Sequence, residues 1–440
     1  MIRRSITKSI SAHLSAPEIT LIGGPRQVGK TTIMNLLISG LKKAGKPVLF
    51  LSFDFESDRP FLASQQALIQ RIRLEFGNTY GYVFIDEIQR KTDAGIFMKG
   101  LYDMGLPCKF IISGSGSIEL KEKISESLAG RKRIFEVAPV SFDEFLDFYT
   151  DYKYSDRLPA YIELNSVKVL QLFYEYLNFG GYPRVVTASS ASEKFQVINE
   201  IFQSYIDRDI RVLMQGDRPE AYSRFMKLIA AQTGQLLNLN TLATESQLSV
   251  PTLRKYLWYA EKTYFINLIT PWFSNAIKEI TKSPVPYYND HGMRNFALGL
   301  FGNLQYSRNQ GFVFQNFTAN VLMKALFGTP YTVHFWRTTD KAEVDFVISR
   351  GNDPVGVEVK FSLLKKPVIT RSLRSFIEKY QPSEAWVVNL SLNDHLRLGK
   401  TNVKFVPYFR LRAMAEDLFQ TMIANYLVEE RKFPYRVSRK

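Results

Sequence analysis

A single cysteine in 440 residues, Cys108, leaves this chain unable to form an internal disulfide. That suits a reducing compartment, and the cytoplasm is the expected location. Long apolar runs are missing too, since no stretch reaches the roughly 18 residues that a membrane span needs. The N-terminus, Met1-Ile2-Arg3-Arg4-Ser5, has basic residues but no apolar core behind them, so no signal peptide is expected. Low-complexity tracts and internal repeats are absent, and 45% hydrophobic residues is a globular composition. Acidic residues are in deficit: 42 Asp and Glu against 57 Lys and Arg give a net charge of +15. Such a surplus either attracts nucleic acid or another polyanion, or only keeps the protein soluble. The length suggests about three domains.

What is present begins near the N-terminus. Gly24-Pro25-Arg26-Gln27-Val28-Gly29-Lys30-Thr31 fits the phosphate-binding pattern G-x-x-x-x-G-K-[ST] at every fixed position, with Thr32 following. The apolar run Ile19-Thr20-Leu21-Ile22 leads in as a buried strand, and Ile33 to Leu41 continues with helical periodicity. The glycines let the backbone curl until its N–H groups converge on a phosphate at the helix N-terminus. Lys30 would reach the β- and γ-phosphates, and the Thr31 hydroxyl would hold Mg²⁺. The expectation is a chain that binds ATP with Mg²⁺.

A partner motif lies downstream. Tyr82-Val83-Phe84-Ile85-Asp86-Glu87 is an apolar strand ending in two carboxylates, the form of a Walker B element. Asp86 would hold Mg²⁺ from the second coordination shell, and Glu87 would polarise the attacking water. By itself, a strand ending in Asp-Glu also suits a carboxylate that caps the next helix. The spacing from the P-loop leaves room for one βα unit, supplied by Pro47 to Phe53 and the polar helical stretch after it. A glutamate after the Mg²⁺ aspartate argues for hydrolysis rather than transfer to a small acceptor, so ATPase activity is expected.

Five strands, near 18–23, 47–53, 81–86, 108–113 and 133–137, alternate with helical segments. That predicts an α/β domain with a parallel sheet covered by helices on both faces, over about residues 1–150. Helical periodicity dominates from about 139 to 300, broken by the tight turn Gly180-Gly181-Tyr182-Pro183. Leu239 to Ala260 reads as helix, turn, helix, with Leu242 and Leu248 as apolar anchors, Ser249-Val250 as the turn, and Pro251 opening the second helix. Its second helix would carry Thr252, Arg254 and Lys255 to a DNA major groove, or else serve as a packing unit.

A second constellation sits near the C-terminus. Ala342 to Ile348 and Pro354 to Phe361 read as two strands joined by the turn-rich Ser349-Arg350-Gly351-Asn352-Asp353. With the hairpin centred between Gly351 and Asn352, Asp345 lies opposite Glu358 and Glu343 opposite Lys360, while Val344, Phe346, Val357 and Val359 form the apolar face. Two carboxylates and a lysine then converge, as in a D…E-x-K metal site. The other reading is a cross-strand ion pair of Glu343 with Lys360 on a solvated face.

In this order, the motifs resemble those of the prokaryotic AAA+ ATPases that carry a C-terminal domain of unknown function with a PD-(D/E)XK nuclease-like fold. The resemblance spans about Arg3 to Phe409. It rests on the P-loop through Thr32, Ile85-Asp86-Glu87-Ile88-Gln89, Leu128-Ala129-Gly130-Arg131, Ser141-Phe142-Asp143-Glu144-Phe145 and Gly180-Gly181-Tyr182-Pro183. It continues in Tyr205-Ile206-Asp207-Arg208-Asp209-Ile210, Glu343-Val344-Asp345-Phe346 and Glu358-Val359-Lys360. It implies an AAA+ core, a helical lid (151–210), a winged-helix segment (211–300) and a restriction-endonuclease-like module (301–410). AAA+ ATPases place a γ-phosphate sensor where Ser113 and Ser115 stand, so either serine is a candidate; the other reading is an ordinary Gly/Ser loop. Arg131 would be either a finger acting on a neighbouring subunit's nucleotide or a solvated surface arginine. Where the family usually carries Gly-x-x-x-Glu-Asn, this chain has Gly311-Phe312-Val313-Phe314-Gln315-Asn316. Gln315 is a poorer Mg²⁺ ligand than a carboxylate, so a weakened nuclease site is expected.

Beyond that span, Leu411, Met414, Leu418, Phe419, Met422, Ile423 and Tyr426 recur at helical spacing, which predicts an added amphipathic helix before a basic tail (411–440). Three functions follow: an ATPase controlling a nucleic-acid-directed module, a nucleotide-gated protein scaffold, or an ATP-regulated Mg²⁺-dependent nuclease. DNA or RNA and a homo-oligomeric partner are the expected associates, and no membrane.

Overall fold

The computed structural model describes residues 1–114, 127–206, 219–273, 283–306, 310–351 and 353–432. Strand β1 (Ile19–Gly23) runs through the P-loop into helix α1 (Lys30–Lys43). Then come β2 (Val48–Ser52), α2 (Gln65–Phe76), β3 (Gly81–Asp86), α3 (Ala94–Asp103), β4 (Cys108–Ser113) and β5 (Lys132–Glu136). These strands form one sheet in the order β2-β3-β4-β1-β5, every neighbouring pair parallel, as the sequence predicts. β1 is buried along its whole length because helices cover both faces. In a parallel sheet of this order, the loops leaving β1, β3 and β4 meet at one edge.

Helix α4 (Phe142–Tyr149) closes this domain behind a capping box, in which Ser141 and Glu144 satisfy each other's backbone amides. A helical layer follows, including α5 (Ser166–Phe179), α6 (Ala191–Tyr205), α7 (Pro219–Ala231), α8 (Leu239–Ser246) and α9 (Val250–Lys262). Two short antiparallel strands, β6 (Ile266–Ile269) and β7 (Val285–Tyr288), interrupt the stretch read as helical, before α10 (His291–Ala297). The tight turn at 180–183 has a physical cause. Gly181 accepts the Val140 N–H on its carbonyl at 2.7 Å, and a Cβ on it would sit 2.2 Å from the Val140 carbonyl oxygen. Its N–H is held by buried Asp290 at 2.7 Å, across 109 residues of sequence.

Helix α11 (Gln310–Ala325) leads into a six-stranded mixed sheet. Its strands are β8 (Thr332–Arg337), β9 (Glu343–Arg350), β10 (Asp353–Val359), β11 (Glu384–Asn389), β12 (Asp394–Leu398) and β13 (Thr401–Pro407). They are ordered β12-β13-β11-β10-β9-β8, with α12 (Arg371–Tyr380) between β10 and β11. α11 lies against Phe346, Ile348, Val355 and Val357, while α12 covers Val344, Val347 and Val387 on the other face. Helix α13 (Leu411–Lys432) then packs against α11, where the amphipathic pattern predicts a helix.

Candidate functional site

Where the P-loop leaves β1, Gly24 has φ +142°, and a Cβ there would lie 2.2 Å from the Val137 carbonyl oxygen, so only glycine fits. The loop delivers Lys30 and Thr31 to the first turn of α1. The Lys30 ammonium is buried and donates to the carbonyls of Gly24 (3.1 Å) and Pro25 (2.7 Å). Thr31 Oγ1 donates to Asp86 Oδ2 at 2.9 Å, joining the two nucleotide motifs.

Asp86 ends β3, which is parallel to β4 and one strand removed from β1, so its carboxylate faces the P-loop edge. Its second oxygen accepts the Ser113 hydroxyl and the Glu87 N–H (3.1 Å). Ser113 is fully buried and its proton goes to Asp86, so it steadies that carboxylate. Ser115 lies outside the described residues. Glu87 is in the left-handed region, φ 56°, which is unusual for a glutamate, and its carboxylate accepts a hydrogen bond from the Gln89 amide. The hydroxyl of Thr31 and the carboxylate of Asp86 are hard oxygen donors, a set that fits Mg²⁺.

Arg131 lies elsewhere. Its backbone carbonyl accepts the N–H of Ile19, at the start of β1, whereas the P-loop leaves the strand's other end after Gly23. The separation along β1 is roughly 13 Å at the usual rise of a strand. Its exposed guanidinium pairs with Asp103 at 2.7 Å, and hydrogen bonding to that carboxylate raises its pKa further. Arg131 thus stands at the end of β1 opposite to the P-loop. Sequence reasoning missed Arg184, which follows the Gly-Gly-Tyr-Pro turn and reaches Gln27 of the P-loop at 3.2 Å, with Glu200 at 3.0 Å. Its position directly after Pro183 was the available signal.

A cleft of about 470 Å³ opens beside the Walker B segment, lined by Phe53, Arg59, Leu62, Arg90 and Lys91 among others. Arg90 pairs with Asp54 at 2.6 Å, both half exposed, a contact worth at most about 1 kcal/mol.

In the distal sheet, β9 and β10 pair in the expected register from Arg350–Asp353 to Phe346–Val357. Beyond that the expectation fails. Between β8 and β9, partners shift from His334–Val347 to Trp336–Val344, so β9 carries one extra residue, a bulge at 345–346. The bulge moves Val344 from the expected apolar set with Phe346 into the α12 cluster. It turns Asp345 toward α11, where Gln315 donates to it at 2.9 Å and the Val359 N–H at 2.7 Å. Glu358 faces the other helix, accepting from Thr370 at the start of α12 and pairing with Lys360 at 2.6 Å. Glu343 pairs with Arg337 at 3.3 Å, not with Lys360. Burial, reinforced by Glu358 and Glu343, lifts the Asp345 carboxyl to about 7 despite the Val359 amide. Among the described residues, no three His, Cys, Asp or Glu side chains are grouped to hold a metal ion.

The helix–turn–helix segment has its turn at Gln247–Ser249, with Gln247 left-handed; Val250, read as part of the turn, is already helical. Ser249 caps α9 by accepting the Thr252 N–H at 3.2 Å. Arg254, Lys255 and Trp258 are exposed along α9.

Residues 16–146 match the family described as an AAA domain, and the five-stranded parallel sheet is the P-loop sheet of that domain. Residues 170–304 and 310–410 match two domains of unknown function, DUF8612 and DUF4143. An uncharacterized protein of Mycobacterium tuberculosis is 28% identical over 391 residues, 88% of this chain and 79% of its own length. One from Methanocaldococcus jannaschii is 27% identical over 358 residues, 78% of this chain and 75% of its own. Among solved structures, AMPPCP-bound DnaA from Aquifex aeolicus is similar at 14% identity, with TM-score 0.27 over 60% of this chain and 90% of that one. Cdc6p from Pyrobaculum aerophilum gives 11% and 0.27 over 59% and 84%. Both likenesses are too slight to bear on the fold. Among the described residues, no helix is long and apolar enough to cross a membrane.

Proposed function

We propose that this protein is an AAA-type ATPase whose nucleotide state controls a nucleic-acid-binding C-terminal half. The observation that carries the ATPase reading is the Thr31–Asp86 hydrogen bond, with Glu87 held beside it by Gln89. Lys30 exchanges its two loop carbonyls for phosphate oxygens when ATP enters. Thr31 and Asp86 would hold Mg²⁺, which would supply neutralisation of the phosphate charge. Glu87 accepts a hydrogen bond from the attacking water and aligns it, and Gln89 fixes the direction of that carboxylate. On this reading Arg184, hydrogen-bonded to Gln27, would sense the phosphate end, and Arg131 would act on the nucleotide of a neighbouring subunit.

Several features support nucleic acid as the partner: the net charge of +15, the exposed Arg254 and Lys255 on α9, and the cationic cleft beside Walker B. The three helices α7–α9 followed by β6 and β7 fit a winged-helix plan. Gln315 in place of a carboxylate, and the different helices that Asp345 and Glu358 bond to, favour a nuclease-like fold that binds without cutting. The test measures phosphate release from ATP with and without duplex DNA and single-stranded RNA, in Mg²⁺. Stimulation that is lost with rising salt is expected. ATP hydrolysis indifferent to both nucleic acids, with no binding to either, would leave a protein-binding scaffold as the reading.

A further inference from the structure

Arg4 lies outside all three matched domains, yet its guanidinium is buried against the P-loop. Nη1 donates to the Val28 carbonyl at 2.9 Å. Nη2 donates to the carbonyls of Ala138 and Pro139 (3.3 Å for the latter), and Nε pairs with Glu144 at 3.1 Å. One side chain thus ties the second half of the P-loop to the segment leaving β5 and to α4.

The peptide that joins Val28 to Gly29 is planar and trans, so its carbonyl and its N–H point in opposite directions. Holding the Val28 oxygen on the Arg4 side therefore sends the Gly29 N–H to the opposite side, where the loop curls around phosphate. An amide free to rotate would contribute less, because part of the binding energy would go into fixing it.

Arg4 is itself held. Glu144 also accepts the N–H groups of Ser5 (2.7 Å) and Ser141 (3.0 Å). Its neighbour on α4, Asp143, accepts from Arg412 of α13 at 3.3 Å, and Arg412 pairs with Glu416 at 2.8 Å. Lys324 of α11 faces the same cluster, so three cations meet three carboxylates. Adjacent residues of one helix therefore connect a P-loop carbonyl to the C-terminal helix.

We propose that Arg4 is a positioning residue for nucleotide binding, which orients the Gly29 N–H, and that the Asp143–Arg412 pair makes this support depend on α13. This rests on the reading of the P-loop as an ATP site. Wild type against Lys30→Ala decides that reading first, by binding of a fluorescent ATP analogue. Arg4→Gln alone strands Glu144 as a buried charge and risks unfolding. The informative pair is Glu144→Gln and Arg4→Gln/Glu144→Gln, with Tm followed in parallel. The double variant is expected to bind ATP about tenfold more weakly than Glu144→Gln, about 1.4 kcal/mol, with kcat at saturating ATP within about twofold. Arg4→Lys, which keeps a donor for Val28, should fall between. Arg412→Gln, at a partly exposed site, should weaken ATP binding by about threefold without changing kcat. A folded double variant with unchanged ATP affinity would overturn the role of Arg4, and an unchanged Arg412→Gln would overturn the link to α13.

Discussion

Thr31 and Asp86 stand 55 residues apart and share a hydrogen bond of 2.9 Å across the top of the sheet. The contact exists because β3 and β1 run parallel with β4 between them, so both motifs leave the sheet at the same edge. It pre-orients a hydroxyl and a carboxylate around one point, and a site assembled in advance spends less binding energy on ordering its parts.

On the proposed reading, Lys30 contacts phosphate in the ground state, whereas Glu87 acts on the water. Lys30→Ala should therefore weaken ATP binding by tenfold to about a hundredfold, the loss of one buried charge-assisted contact. Glu87→Gln should bind ATP within about threefold of wild type while kcat falls by about 10² to 10³. Binding of a fluorescent nucleotide and single-turnover phosphate release separate the two. Undiminished hydrolysis by Glu87→Gln would remove that residue from the mechanism.

Arg131 sits beside the start of β1, at the end opposite to the P-loop, so on the proposed reading its removal should matter only between subunits. Arg131→Ala is expected to lower turnover at concentrations where the protein self-associates, and to leave dilute monomer unchanged. Turnover measured alongside sedimentation checks this, and an equal loss in monomer would show a structural part instead.

Glu144 makes the core sensitive to acid. Burial favours its neutral form, but Lys324, Arg4 and the amides of Ser141 and Ser5 outweigh that and bring its carboxyl down to about 2. A carboxyl depressed from its unfolded value contributes stability that is present above about pH 4.5 and lost as pH falls toward 2. The full effect is about 3 kcal/mol. Thermal melts from pH 7 to 3 should fall more steeply for wild type than for Glu144→Gln, whose curve is shifted lower at neutral pH. Parallel curves would show that Glu144 ionisation does not stabilise the fold.

The distal cluster should not cut. Purified protein with Mg²⁺ or Mn²⁺ is expected to leave DNA and RNA intact, because Asp345 and Glu358 face different helices and Gln315 donates where a ligand would accept. Gln315→Glu would bring two carboxylates together, which repel unless a cation lies between them. Calorimetry should then detect Mn²⁺ binding that wild type lacks. Robust cleavage by wild type, abolished in Asp345→Ala, would reverse this reading.

The N-terminal sheet was legible because its strands are short apolar runs set off by turn residues, and because the P-loop and Walker B motifs must occupy strand ends. The hairpin register from Arg350 to Phe346 was legible from its turn. The bulge was not, since one extra residue in β9 leaves the residue types unchanged while reversing which helix Asp345 faces. Contacts of Arg4 with Val28 and Arg184 with Gln27 join segments 24 and 157 residues apart, beyond any periodicity. Strands β6 and β7 have four residues each, too few to register an alternation among helices. β12 alternates charged and apolar residues at a sheet edge, and such a segment looks like a solvated loop.

The order β2-β3-β4-β1-β5 also sets the shortest piece of this protein in which the P-loop strand keeps both its neighbours. β1 pairs only with β4 and β5, the last two strands of its sheet to be synthesised. A fragment ending before Cys108 leaves the strand that carries the P-loop without a neighbour, and one ending before Lys132 leaves it with an open edge. Adding the Glu144 that holds Arg4 moves the boundary beyond α4. A fragment that stops at the end of Walker B is expected to be insoluble when expressed, however complete its nucleotide motifs.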